Sequence, residues 1–308
     1  MTTVQSIAKY DKKHPTAITI GTFDGVHIGH QKILKKLIKK ANSKKLKSTV
    51  LTFFPHPRMV LQKDSDIKLL NTLDEKIKIL EGLGLDILII HPFTKEFSRL
   101  SATEFVRDIL VNALQAKKII IGYDHRFGRN REANINDLIA FGSSLDFKVD
   151  EISAQEIDEV SVSSTKIRKS LEEGKIETAN KYLGYPYMLT GSVKKGKGLG
   201  RQIQFPTANL HIEESYKLIP KNGVYVVQTV IDGTTVSGMM NIGYNPTVSG
   251  KKKSIEIHFF DIDKDLYGQK LQIDLITRIR DEYKFESIEA LKNQLAKDKD
   301  TSLAILNQ

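Results

Sequence analysis

Short apolar runs alternate with amphipathic stretches through the first part of the chain: TAITIGTF, GHQKILKKLIKKANSKK, STVLTFF, LDEKIKILEGLG, LDILIIHPF, ATEFVRDILVNALQ and KKIIIGYD. Apolar runs of strand length separated by segments of helix length predict βαβ units, hence a doubly wound α/β domain whose parallel sheet is covered on both faces. Thr72 with Glu75 and Ser101 with Glu104 each place an acid three residues after a hydroxyl, which marks a helix start. After SSTKIRKSLEEGKIETANKYLG the period changes. YMLTGSV, GVYVVQTV, TTVSGMMNIG, SIEIHFFD and QKLQIDLITRIR are β-type runs, Asp232-Gly233 reads as a hairpin turn, and one helix, ESIEALKNQLAKD, closes the chain. The switch predicts a boundary near Gly184, with an α/β domain over 1–184. A small antiparallel β-barrel or sandwich with a C-terminal helix follows over 185–308.

A length of 308 residues suits two domains, each able to bury its own core. The absence of cysteine excludes a disulfide framework, thiolate catalysis, iron-sulfur ligation and any zinc site that needs sulfur. No signal-peptide pattern and no membrane-length apolar run stands out, so the expected setting is a reducing cytoplasm. The formal charge of +10 suits an anionic partner, for which nucleotides and nucleic acid both qualify. Lys35, Lys36, Lys39 and Lys40 lie at helical spacing opposite Ile33, Leu34, Leu37 and Ile38, and read as a solvated helix face.

The stretch GTFDGVHIGH, Gly21 to His30, sits between an apolar strand-like run and a helix expected from about Gly29. In a doubly wound sheet such a turn lies beyond the carboxyl end of a strand, where unpaired amides and the positive end of the helix dipole favour an anion. His27 and His30, three residues apart, share a face if the turn is helical. Two imidazoles donating there would hold a phosphate or the charge that develops on it. Two histidines without a local third ligand fall short of a catalytic zinc site. A structural loop with capping histidines is the bland alternative.

The segment resembles the (H/T)xGH signature of the nucleotidyltransferase superfamily, and SSTKIR, 163–168, resembles the SSTxIR motif of bacterial FMN adenylyltransferases. The resemblance implies that Gly21, Phe23, Asp24, Gly29, Ser163, Ser164, Thr165 and Arg168 surround the ATP phosphates. TFFPHP and IGYDHRFG match segments that line the flavin and adenine sites, which implicates Phe54, Pro55, His56, Pro57, Asp124 and Phe127. His125 stands where the family often has an aromatic residue.

GSVKKGKG, 191–198, nearly spells a phosphate loop, but Gly198 replaces the hydroxyl residue and no amphipathic helix follows. A basic glycine flap with Gly196 and Gly198 against a nucleotide, or a solvated hairpin, remains. The neighbouring FPTANL resembles the PTAN motif of riboflavin kinases, which implies that Thr207 and Asn209 hold Mg-ATP; both are hard oxygen donors suited to Mg²⁺. NIGYNPTV and SIEIHFFD also fit that family. Alternation in SIEIHFF puts Glu256 and His258 on one face, and the resemblance makes Glu256 the catalytic carboxylate. RDEYKF, with Arg280, matches a flap on the flavin side, and Gln204 stands where glycine is common.

Taken in order, these motifs resemble the bifunctional riboflavin kinase/FMN adenylyltransferase family, also called FAD synthetases. The resemblance implies two magnesium-assisted reactions with ATP, riboflavin and FMN as substrates. Alternatives are another transferase of the superfamily with a degenerate kinase domain, or a non-enzymatic RNA-binding or flavin-sensing regulator. Against RNA, none of the later β-runs interleaves basic with stacking aromatic residues. Small molecules are therefore the expected partners, with no membrane, and the oligomeric state is open.

Overall fold

The computed structural model describes residues 1–62, 66–153, 162–196, 200, 203–247, 250–262 and 264–307, without the side chains of 245–252. Six strands, β1 (Thr2–Gln5), β2 (Thr16–Ile20), β3 (Lys47–Phe53), β4 (Ile87–His91), β5 (Ala116–Gly122) and β6 (Lys148–Ile152), form a parallel sheet in the order β1-β4-β3-β2-β5-β6. Helices α1 (Ile28–Ser43), α2 (Pro57–Leu61), α3 (Leu73–Gly82), α4 (Ala102–Glu104, continued as a π-helix over Phe105–Ala113) and α5 (Ile135–Leu145) complete this unit. Every residue of β2 is buried, as expected of a strand covered on both faces. Ile18 and Ile20 join Leu110 and Leu138 on one side, while Ala17 joins Leu34, Leu37 and Leu80 on the other. Both capping boxes form, Thr72 with Glu75 and Ser101 with Glu104.

The second unit is a closed antiparallel barrel rather than a sandwich. Its strands are β7 (Tyr187–Lys194), β8 (Ala208–His211), β9 (Gly223–Ile231), β10 (Thr234–Thr247), β11 (Gly250–Phe259) and β12 (Lys270–Arg280), ordered β10-β11-β8-β7-β12-β9 with β9 closing onto β10. The expected hairpin joins β9 to β10, with Asp232 at φ 49° and Gly233 at φ 80°, the two positive values that a type I′ turn needs.

The compact units are Met1–Ser163 and Ser164–Gln308, so they divide upstream of the boundary expected at Gly184. The physical reason is that α7 (Ile176–Leu183) packs on β7 and β12 and carries α6 (Ser164–Glu173) with it. Gly184, at φ 79°, ends α7 as a left-handed cap. The C-terminal helix α8 runs over Ile288–Leu306, longer than ESIEALKNQLAKD alone. Its Leu295, Leu303 and Leu306 pack on Val224, Met239 and Phe260. Among the described residues no helix is long and apolar enough to cross a membrane.

Candidate active sites

GTFDGVHIGH leaves β2, TFFPHP leaves β3 and GYDHRFG leaves β5, and β3, β2 and β5 are consecutive in the sheet. Parallel neighbours lie about 4.8 Å apart, so the three segments emerge side by side at one edge. That edge is the point where the strand order reverses, from β2 towards β3 on one side and β5 on the other.

The turn after β2 needs three residues in the left-handed region: Phe23 (φ 46°), Gly25 (φ 85°) and Val26 (φ 33°). His27 is the N-cap of α1, which therefore starts at Ile28, one position before the start expected at Gly29, and its Nδ1 accepts from the backbone N–H of His30 at 3.4 Å. An Nδ1 that accepts leaves the proton of the neutral ring on Nε2, which becomes the donor. The two rings stack at 3.7 Å between centroids, which realises the shared face expected from their spacing. Phe23 meets His30 edge-on at 5.1 Å, so it braces a histidine. Gly21 and Gly29 likewise face rings of the turn, Phe23 at 3.2 Å and His27 at 3.3 Å from where a Cβ would stand.

Burial holds His27 down to about 4. It holds His30 well below its ordinary value too, and the neighbouring His27 and the Lys76 ammonium add to the effect. Both rings are therefore neutral donors at neutral pH. Nδ1 of His30 is buried without a hydrogen-bond partner among the described residues. Lys76 had no signal in the sequence beyond its place on a helix. It is 5% exposed and donates to the Thr22 carbonyl at 2.7 Å, beneath the turn. Burial lowers its pKa and the nearby Asp24 carboxylate opposes that shift. Asp24 is itself buried and accepts from Leu70 N–H at 2.9 Å, which ties the turn to the segment before α3.

Beyond β3, Phe54 is half-buried, Pro55 is exposed, and His56 caps α2 through Nδ1 and Arg58 N–H at 3.2 Å, with Pro57 at the first helical position. Beyond β5, Asp124 is exposed and Phe127 is buried, held by a bridge to Ala133. The His125 ring stacks on Phe127 at 6.2 Å, burial lowers it to about 4, and its Nε2 has no partner among the described residues. An aromatic chain continues through Phe105, Phe97 and Phe53. Sequence reading had not singled out that wall, although its members recur near strand ends.

SSTKIR spans the division between units: Ser163 ends the first, while Ser164, Thr165 and Arg168 open α6 in the second.

In the barrel, strand register brings the candidate residues together. Glu256 on β11 stands opposite Asn209 on β8 and opposite Asn241 on β10, so three polar residues from three strands lie in one row. Asn241, within NIGYNPTV, is the member that sequence reading did not pick. The Gly196 backbone lies so close to the Asn209 side-chain amide that a Cβ there would collide with it. Gly198 lies outside the described residues. Gln204 takes φ 65°, a left-handed value that explains why glycine would suit the position.

Arg280 is occupied within the protein. Its Nε donates to Asp298 Oδ1 and Oδ2 at 3.0 Å and an Nη to Oδ2 at 2.7 Å, while the other Nη donates to Asp281 O at 3.0 Å. Asp298 is 3% exposed on α8, and the guanidinium lies over Tyr283 at 4.8 Å. Arg280 thus latches RDEYKF to the closing helix.

Family comparison agrees with this two-part construction. The FAD synthetase family model matches residues 9–166 and the riboflavin kinase model residues 183–306. A bifunctional riboflavin kinase/FMN adenylyltransferase of Listeria monocytogenes is 39% identical over 93% of this chain and 91% of its own. Its namesake in Escherichia coli is 35% identical over 92% and 91%. A crystal structure titled as a macrolide-efflux protein from Streptococcus pneumoniae shares the fold at TM-score 0.89 and 30% identity, covering 98% of this chain and 99% of that one. With both family models matched in order and such relatives along almost its whole length, the chain belongs to the bifunctional riboflavin kinase/FMN adenylyltransferase family.

Proposed function

We propose that this chain makes FAD in two ATP-consuming steps in the cytoplasm, acting on small molecules. The barrel unit phosphorylates riboflavin to FMN with release of ADP, and the α/β unit joins FMN to the adenylyl group of ATP with release of pyrophosphate. The observation that carries the reading is that one chain holds two separate sets of phosphate-directed residues. One is a stacked histidine pair at the switch point of the sheet, and the other is a carboxylate facing Asn209 in the barrel.

In the kinase step Glu256 accepts the proton of the ribityl 5′-hydroxyl while that oxygen attacks the γ-phosphorus of ATP. Thr207 and Asn209 would hold Mg²⁺, which neutralises phosphate charge when bound. They fit because both donors are hard oxygens and the glycine at 196 leaves the Asn209 amide room. Among the described residues no cluster of three His, Asp or Glu forms a metal cage, which suits an ion held jointly with waters and substrate phosphates. In the adenylyl step a phosphate oxygen of FMN attacks the α-phosphorus. His27 donates from Nε2 and His30 from its ring to the charge that develops on the transferring group and on the departing pyrophosphate.

Ser163, Ser164, Thr165 and Arg168 would add contacts to the ATP phosphates. Phe54, Pro55, His56, Pro57, Asp124 and Phe127 would line the flavin and adenine positions, a role that rests on the motifs and on the shared strand edge. Gly21, Phe23, Asp24 and Gly29 act by shaping the turn, and Arg280 acts by holding the flap. Incubation with riboflavin, ATP and Mg²⁺ followed by chromatographic separation should yield FMN and then FAD; absence of both products under oxidising and reducing conditions would overturn the reading.

A further inference from the structure

The structure assigns His258 a positioning role in riboflavin phosphorylation: its imidazole continues the coupling between the strand of Glu256 and the segment of Thr207 and Asn209, past the proline that ends their ladder. The assignment rests on the kinase reading above. Among the described residues, strands β8 and β11 share two pairs, Glu256 with Asn209 and Ile257 with Ala208. The chain before Ala208 runs through Thr207 to Pro206, and proline has no N–H to extend a ladder. On its other side β8 pairs with β7 through Asn209, Leu210 and His211, so neither ladder reaches Thr207 and the residues before Ala208 need another link.

His258 supplies the link. Its Nδ1 lies 2.9 Å from the Pro206 carbonyl oxygen. A carbonyl only accepts, so Nδ1 carries the proton and Nε2 of the neutral ring is the acceptor. The ring is 9% exposed and meets Phe205 edge-on at 5.1 Å and Phe260 at 5.9 Å. Phe205 and Pro206 are consecutive, so the hydrogen bond and the ring contact hold the same short segment. His258 and Glu256 are two residues apart on one extended strand, hence on one face. A shift of Pro206 passes directly to Thr207, and from there to Asn209 opposite Glu256. A displacement of about 1 Å at such a site is enough to cost activity.

The test uses the full chain. His258→Phe keeps an aromatic ring and removes the donor; His258→Asn keeps an N–H near the position of Nδ1. For riboflavin phosphorylation, His258→Phe should lower kcat about tenfold and raise KM for ATP at fixed Mg²⁺, the size expected for losing one buried hydrogen bond. His258→Asn should recover most of the loss. Amide hydrogen exchange over 203–210, measured without nucleotide, should quicken in His258→Phe and return towards wild type in His258→Asn, while β9 and β12 stay protected. Unchanged kinase constants or unchanged exchange in His258→Phe would sink the assignment, as would His258→Asn no better than His258→Phe. ¹⁵N imidazole shifts of the unaltered protein give an independent check, since an Nε2–H tautomer at His258 contradicts the geometry. Glu256→Gln and Thr207→Ala test the underlying kinase reading separately, because riboflavin phosphorylation intact in both would remove that reading whatever His258 does.

Discussion

The two units build phosphate chemistry by opposite routes. In the α/β unit the proposed reactive pair lies within one turn of one helix: His27 and His30 are three residues apart, joined by ring stacking and by a hydrogen bond that the His30 N–H donates to the His27 side chain. In the barrel, Asn209, Asn241 and Glu256 come from three strands and meet only through register. The first arrangement is a local conformation that the sheet positions, whereas the second exists only when the barrel is closed. A site of the first kind tolerates loss of distant contacts and is sensitive to the turn. One of the second kind is sensitive to anything that shifts a strand.

The largest expected effects break the comparison cleanly. Glu256→Gln should lower riboflavin phosphorylation by roughly 10² to 10⁴-fold, the usual worth of a general base, and leave conversion of FMN to FAD intact. The double variant His27→Ala, His30→Ala should do the reverse, with a loss on the order of 10² to 10³-fold in FAD formation. Both are read by chromatography of riboflavin, FMN and FAD. Loss of both activities in either variant would contradict two independent sites.

A stability test sharpens the point about closure. Asp298→Ala strands the Arg280 guanidinium, whose side chain is only 17% exposed, and should destabilise the barrel unit by about 3 kcal/mol. Hydrogen exchange should rise in β12 and α8 while β2 and β3 keep their protection. A smaller effect is expected from Gly196→Ala, where the new methyl must displace the Asn209 amide. Kinase activity should then need roughly tenfold more Mg-ATP, equivalent to about 1.4 kcal/mol, without change in the adenylyl step. Steady-state titration of ATP at constant free Mg²⁺ reads it.

The smallest effect concerns acid. Burial holds His27 and His125 down to about 4 from an ordinary value of 6.5. Above 6.5 the folded and unfolded chains both keep these rings neutral; as pH falls from there towards 4, only the unfolded chain takes up protons, so stability is lost across that window. Between pH 7 and 6 the loss should be about 0.7 kcal/mol per ring. Exchange protection factors in β2 and β5, which remove the intrinsic pH dependence of amide exchange, should therefore fall with mild acid, and protection factors that stay constant there between pH 7 and 5 would contradict buried neutral histidines.

How much was legible follows from the same contrast. The GTFDGVHIGH turn, the capping boxes at Thr72 and Ser101, and the Asp232-Gly233 hairpin are all set by residues within a few positions of one another, and each formed as read. The helix starts at Ile28 because the His27 side chain is itself the cap, a role usually given to a hydroxyl or carboxylate. Lys76 looked like any helical lysine, and only packing shows it under the turn on the Thr22 carbonyl. Arg280 carries a flap motif in the sequence, yet its partner Asp298 lies 18 residues on, on another element. The helices α6 and α7 follow the α/β pattern in sequence but pack with the barrel, because an amphipathic face says that it will be buried and not against what.

By itself the sequence determined a doubly wound α/β unit followed by an antiparallel β unit, through a change of hydrophobic period from helix-and-strand alternation to consecutive hairpins, while closure of the second unit into a barrel came from strand pairing. It also determined the conformation of the turn after β2, through residues close enough to act on one backbone. Tertiary structure alone decided that the loops after β3, β2 and β5 share an edge, that Glu256 faces both Asn209 and Asn241, that Arg280 is held by Asp298, and that His258 reaches Pro206. Strand order, register and the partner of a buried charge depend on contacts between residues far apart in the chain, and no local pattern encodes those contacts.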